Sequence, residues 1–213
     1  MIKPVVEGYG EVRAFPELLR RIAWRLGVYD VPLLEPGRYP ASQLLRREGT
    51  LWVPGPGLEK AAGHARNEGA SGMLILIDAD DLCAVEASTA ISPVLASTTG
   101  FEYSRLVFVV REYEAWFLAS AETLVDGAVA FEGDPEAYRD AKGRLESHLG
   151  LEFGYSETGD QPRFSARLEP DLAYARSRSY RKLVKDFKFL LTQCGRTPAE
   201  WDAPLEDLPG GSP

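Results

Sequence analysis

Apolar residues recur along this chain with two different periods, and the two alternate through the first 120 residues. Residues 1–6 (MIKPVV) read as a strand, with Pro4 early enough that its missing N–H is tolerated. The turn-rich Glu7-Gly8-Tyr9-Gly10 ends it. From Glu11 onward Val12, Phe15, Leu18, Leu19, Ile22 and Leu26 fall at helical spacing, and Gly27 is a natural terminator. Residues 28–34 form a short strand candidate closed by Glu35-Pro36-Gly37, and 38–57 read as a loop or a short hairpin around Trp52. A helix is predicted over 58–67. Met73 to Ile77 is a continuous apolar run, the pattern of a parallel strand covered on both faces, and it ends in Asp78-Ala79-Asp80-Asp81. A weaker helix over 85–95 has Pro93 against it. A second apolar strand over 106–110 leads directly into a helical stretch over 111–118. Strand alternating with helix predicts an α/β fold: a mostly parallel, Rossmann-like sheet with right-handed crossovers.

Beyond residue 120 the pattern becomes helical. A charge-rich helix is predicted over 135–149, a polar stretch over 152–163, and two further helices over 168–175 and 180–191. From Trp201 the sequence WDAPLEDLPGGSP has little periodicity and is expected to fray. The expected organisation is an α/β core over 1–120, a helical extension packed on it over 121–200, and a flexible tail over 201–213.

Composition removes several function classes. A chain of 213 residues with 45% hydrophobic and 26% charged residues is ordinary for a globular protein large enough to fold without staples. Its net charge of −8 argues against a coat-like nucleic-acid binder. Cys83, Cys194, His64 and His148 are the whole Cys/His inventory and are widely spaced, so a zinc site or disulfide framework is not expected. Glu7, Glu11 and Glu17 interrupt any leader-like apolar run, and no stretch is long enough to span a bilayer. A cytoplasmic protein with no membrane partner is the expectation.

The acids provide the candidate chemistry. In an open parallel sheet, sites lie outside the carboxyl ends of the strands. Strand one ends at Glu7, with Glu11 four residues on; the Met73–Ile77 strand ends at Asp78 and Asp80; the next precedes Glu112 and Glu114. Two like charges 4 Å apart cost roughly 4 kcal/mol at an effective dielectric near 20. A convergent cluster therefore calls for a cation or for protonation. Oxygen ligands without His or Cys select hard ions, Mg²⁺ or Mn²⁺. Past a strand end, residues i and i+2 such as Asp78 and Asp80 can face one ion. Each acid also has a structural reading: Asp80 or Asp81 as a helix cap, Glu11 and Glu112 as favourable charges near helix starts.

These residues resemble a family. Glu7-Gly8-x-x-Glu11 after the first strand, with Asp78-x-Asp80 after a hydrophobic one, is similar to the TOPRIM domain of topoisomerases, bacterial primases and OLD-type nucleases. The E-G-x-x-E form is closest to the OLD nucleases. The blocks VEGYGE, LILIDADD, VVREYEAWFLA and ARSRSYRKLVKDF together resemble the bacterial DUF4276 family of TOPRIM-like proteins over roughly residues 1–190. The resemblance implies Mg²⁺ held by Glu7, Asp78 and Asp80, with Glu11 and Glu114 as further ligands. It also implies general acid/base work for the first glutamate, Glu7, with Glu11 as a second catalytic candidate. Lys142 is the candidate for a nuclease-type lysine. No GxxxxGK[ST] motif occurs, so an ATPase like that of OLD proteins would be a separately encoded partner.

One stretch opposes the overall charge. Residues 176–188 carry six basic residues and one acid, with Tyr180, Leu183, Val184, Phe187 and Leu191 at helical spacing. Arg176, Arg178, Arg181, Lys182 and Lys185 are then either a solvated helix face or a phosphate-contact strip. The leading expectation is a Mg²⁺-dependent nuclease acting in defence or DNA repair. The alternatives are a non-catalytic TOPRIM-like module binding nucleic acid or protein, and a DxD nucleotide-sugar transferase.

Overall fold

The computed structural model describes residues 1–202; the expected tail lies, from 203 on, outside the described residues. Four parallel strands form the central sheet: β1 (Ile2–Val6), β2 (Gly37–Arg38), β5 (Gly72–Asp78) and β6 (Tyr103–Val109), in the order β2-β1-β5-β6. Between them, β3 (Leu45–Glu48) and β4 (Leu51–Pro54) make an antiparallel hairpin within the segment read as loop or hairpin. The helices of this part are α1 (Tyr9–Arg25), α2 (Ala41–Leu44), α3 (Pro56–Asn67), α4 (Ala84–Thr99) and α5 (Glu114–Leu118). After a 3₁₀ turn at Ala121–Thr123 come α6 (Ala141–Leu149), α7 (Asp160–Ser165), α8 (Pro170–Arg176) and α9 (Arg178–Gln193).

Alternation along the strands sorts the core into two layers. Leu74, Leu76, Val107 and Val109 pack with α1, α5 and α7 to α9, whereas Met73, Ile75, Ile77, Leu106 and Phe108 pack with α3, α4 and the hairpin. Burial on both faces explains the unbroken apolar runs of β5 and β6. Asp78 continues the Leu74, Leu76 row and so falls on the α1/α5 face, just where β5 ends. The order in which strands are added reverses between β1 and β5, since β2 lies on one side of β1 and β6 on the far side of β5. In open parallel sheets such a topological switch, at the strands' carboxyl edge, is where ligands bind.

Several boundaries differ from the sequence pattern, each for a local reason. The strand expected over 28–34 contributes one bridge, Leu33 to Ile2, and the pairing strand is Gly37–Arg38 instead. The gap between them lies opposite Pro4, which has no N–H to offer a neighbour, and contains Pro36. The helix expected from Arg111 starts at Glu114, because Arg111 has φ 71° and its carbonyl accepts the Asp80 N–H at 2.9 Å. The helix expected from 135 starts at Ala141, with the Asp140 side chain accepting the Gly143 N–H. Upstream, the buried Glu136 carboxylate instead accepts from Ser177 Oγ, the Arg178 N–H and Ser179, and so caps the start of α9. Pro93 is tolerated inside α4 on its exposed side, where water can reach the carbonyl left without a partner.

Gly10 shows how the C-terminal segment seats on the start of α1. A Cβ built there would lie 2.2 Å from Gln161 Oε1 and 2.4 Å from the Glu157 carbonyl oxygen. Gly10→Ala is expected to push this segment off α1 and cost about 1–3 kcal/mol, the usual penalty for overpacking. A midpoint in urea unchanged from the parent protein would show that the contact does not constrain the fold.

Candidate metal centre

The strand and helix that build the centre are set by the Glu7–Glu11 motif. Glu7 directly follows β1, and Gly8 is the N-cap of α1. Glu11, in the first turn, turns back so that Oε2 accepts the N–H groups of Glu7 at 3.0 Å and Gly8 at 3.1 Å. This is the N3 half of a capping box, the glycine N-cap having no side chain to return the bond, so the structural reading of Glu11 holds whatever else it does. Glu7 reaches across to β5, its Oε1 accepting the Asp78 N–H at 3.3 Å. Glu7, Glu11 and Asp78 thereby bring one carboxylate oxygen each within 4.8 Å of one another. Asp78 Oδ1 is buried and has no hydrogen-bond partner.

Burial and mutual repulsion dominate the electrostatics. Burial raises the Glu7 carboxyl above its usual range, and the Asp80 charge adds to this, against the Asp78 N–H. Glu11, 4% exposed, is pushed up to about 7 by burial and then by the charges of Glu7 and Glu114, against the two N–H bonds. Asp78 is raised well above the carboxylate range by burial, with Glu11, Glu7 and Glu114 adding repulsion. Three acids held together, with one oxygen unpartnered, make a charge-deficient hole. An all-oxygen donor set of this kind fits a small hard divalent cation.

The other candidates are placed differently. Glu114, on α5, is 5% exposed and raised to about 7, chiefly by burial. Its charge acts on Glu11 and Asp78, but it lies outside the close three-carboxylate group. Asp80 is also outside that group. The i, i+2 alternation stops with the strand at Asp78, and Asp80, with φ 47°, is exposed and outside the three-carboxylate group, its charge still acting on Glu7. Lys142 borders the acids: its N–H donates to Glu112 Oε2 at 3.0 Å, and its ammonium is held by Glu157 Oε1 at 2.7 Å.

Much of the basic stretch is engaged in ion pairs and main-chain contacts, while Arg178, Lys182 and Lys185 remain exposed. α9 runs against the strand direction, from Ser179 under the Trp116 indole to Leu190 beside Gly72 at the start of β5. Arg176 pairs with Glu122 at 2.7 Å, Arg181 donates to the carbonyls of Tyr174 and Ala175, and Lys182 pairs with Asp186. Arg178 gives its N–H to Glu136. Lys185 is exposed and, with Arg181 and Lys182, lines a cavity of about 380 Å³ against Trp201. A cavity of about 590 Å³ lies along the outer edge of β6 and is not lined by any of the clustered acids. Trp201 itself stacks on Tyr174 with centroids 4.8 Å apart, and Asp202 pairs with Arg25, so the first two residues of the expected tail are docked.

One residue near the centre carries no mark of that position in the sequence. Arg38, at the end of β2, donates to the Glu7 carbonyl oxygen at 3.4 Å and lies over the Tyr9 ring, 3.9 Å from its centroid. Arg38 fell in a stretch read as loop or hairpin, and only the strand pairing Val6 to Arg38 brings it to Glu7.

The fold and site define a parallel α/β protein with a carboxylate cluster at its topological switch. No family model, curated protein or solved structure matches the chain. Among the described residues no helix is long and apolar enough to cross a membrane.

Proposed function

We propose that this is a TOPRIM-like enzyme, dependent on Mg²⁺ or Mn²⁺, that cleaves phosphodiester bonds in nucleic acid. The observation that carries the reading is Asp78 Oδ1, a buried carboxylate oxygen with no partner, grouped with the oxygens of Glu7 and Glu11. Glu7, Glu11 and Asp78 would hold the ion, and Glu114 would sense it through charge. A bound ion of this kind supplies charge stabilisation at a phosphoryl oxygen and lowers the pKa of water. Glu7, half-buried at the edge of the cluster, would take the proton of the attacking water. The water oxygen bonds to phosphorus as the bond to the departing nucleoside oxygen breaks, and a proton returns to that oxygen. Arg38 and Lys142 border the centre with positive charge suited to phosphate.

A second reading is favoured by the state of Lys142, whose ammonium is already held by Glu157. It is a TOPRIM-like module that binds without cleaving, alone or with a separately encoded ATPase. The transferase alternative draws no support, because Asp80 stands outside the group containing Asp78.

Labelled single-stranded and duplex DNA and RNA, incubated with Mn²⁺ or Mg²⁺, test the enzyme reading. Cleavage by the parent protein that falls by a factor of about 100 or more in Glu7→Gln, with nucleic-acid binding kept, is the expected outcome. Binding without cleavage in either metal would leave the module. No binding at low salt would remove both.

A further inference from the structure

We infer that Tyr9 and Arg38 form a stacking step beside the acidic centre that accepts an unpaired base, so that the substrate is single-stranded nucleic acid. The inference rests on the phosphodiester reading above and names its substrate class. Tyr9 lies in the first turn of α1, between the two glycines of the Glu7–Glu11 motif, yet its side chain is 69% exposed. An aromatic ring so exposed adds little to the core, while neighbouring Gly10 and Glu11 are buried.

The ring is held in place rather than left to move freely. The Arg38 guanidinium lies 3.9 Å from the ring centroid, its Nη2 is 3.1 Å from the phenol oxygen, and its Nη1 donates to the Glu7 carbonyl oxygen. Arg38 is in turn fixed by the β2 pairing with Val6. A π face and a guanidinium are thus anchored to the main chain of a residue whose side chain belongs to the metal centre.

This is the complement of a single nucleotide. A base stacks on an aromatic ring whatever its identity, and a guanidinium recognises phosphate through paired N–H donors. Bases inside a duplex are already stacked on one another and reach such a ring only after unpairing. A strand lying across the centre with one base on Tyr9 would set a neighbouring phosphate toward Glu7, Glu11 and Asp78. The flank is open in the sheet itself, since β2 is an edge strand of only two residues.

The test is a binding titration in Mn²⁺ with a labelled phosphorothioate oligonucleotide of about 15 nucleotides, single-stranded or annealed to its complement. The parent protein is expected to bind the single strand more tightly. Tyr9→Ala should weaken single-strand binding by roughly 5–150-fold, the worth of one stacked base, and leave duplex binding unchanged. Tyr9→Trp should restore it. Mn²⁺ calorimetry on Tyr9→Ala should match the parent and so show that the centre is intact. Equal single-strand affinity in Tyr9→Ala, or a preference of the parent for duplex, would overturn the stacking step and leave the phosphodiester reading standing. If the parent binds Mn²⁺ but neither form of nucleic acid, the phosphodiester reading falls and the step falls with it.

Discussion

Asp78→Asn is expected to lose Mn²⁺ binding while making the metal-free protein harder to unfold. The metal-free fold tolerates the Asp78 charge poorly. Burial raises its pKa, three neighbouring glutamates raise it further, and its Oδ1 has no partner. An amide of the same shape removes the charge and keeps the volume, so the repulsion with Glu7 and Glu11 disappears. The same change removes the oxygen best placed for a cation, and affinity should fall more than about 100-fold, beyond the effect of losing an outer-shell partner. Calorimetry with Mn²⁺ reads the first effect. Melting in EDTA reads the second, with Tm rising by about 2–4 °C for each kcal/mol regained in a domain of this size. A variant that binds Mn²⁺ as the parent does would return all three acids to a capping and structural role.

The metal-free protein should lose stability as pH rises from about 5 to about 8, and Glu114→Gln should remove much of that loss. Glu11 and Glu114 are each raised from 4.5 to about 7 in the folded protein, mainly by burial. Between those values the folded chain holds protons that the unfolded chain has released. The stability these groups allow is therefore present at low pH and lost as pH passes the folded pKa. Each shift corresponds to roughly 3 kcal/mol at most, and the two are coupled, so their sum is smaller than twice that. Urea unfolding near pH 5.5 and pH 8, in EDTA, measures the slope for the parent and for Glu114→Gln. A cation entering the cluster must displace these protons, so apparent Mn²⁺ affinity should strengthen over the same interval. Parent stability that is flat or rises across it would mean that the two carboxyls titrate normally.

How much of this was legible beforehand differs between the sheet and the site. The unbroken apolar runs at β5 and β6, the helix after Glu11 and the terminator Gly27 each followed from local periodicity, because burial on two faces or on one stripe leaves a local mark. That acids after separate strands can converge follows from one further rule, that parallel strands present their carboxyl ends together, but the rule does not select Glu11 over Asp80. The strand expected over 28–34 failed because the place where it would have paired faces Pro4, and that is a relation between strands. Arg38 is hidden from the sequence for the same reason, since a two-residue strand has no periodicity to detect.

The sequence by itself determined the long strands and helices, the parallel α/β class and the set of acids available at one edge. Composition likewise determined that any cation there would meet oxygen and not sulfur or imidazole. Only the tertiary structure decided which acids meet. Asp80 is two residues from Asp78, but with a left-handed backbone it stands outside the group. Glu114 is far along the chain, yet α5 brings its charge to bear on Glu11 and Asp78. Tertiary structure also decided the fate of the basic stretch, where Arg176, Arg181 and Lys182 are spent on Glu122, main-chain carbonyls and Asp186. Spacing along a chain records which face of an element a side chain occupies. Partners for a charge are chosen by what packs against that face, and this is settled by contacts distant in sequence.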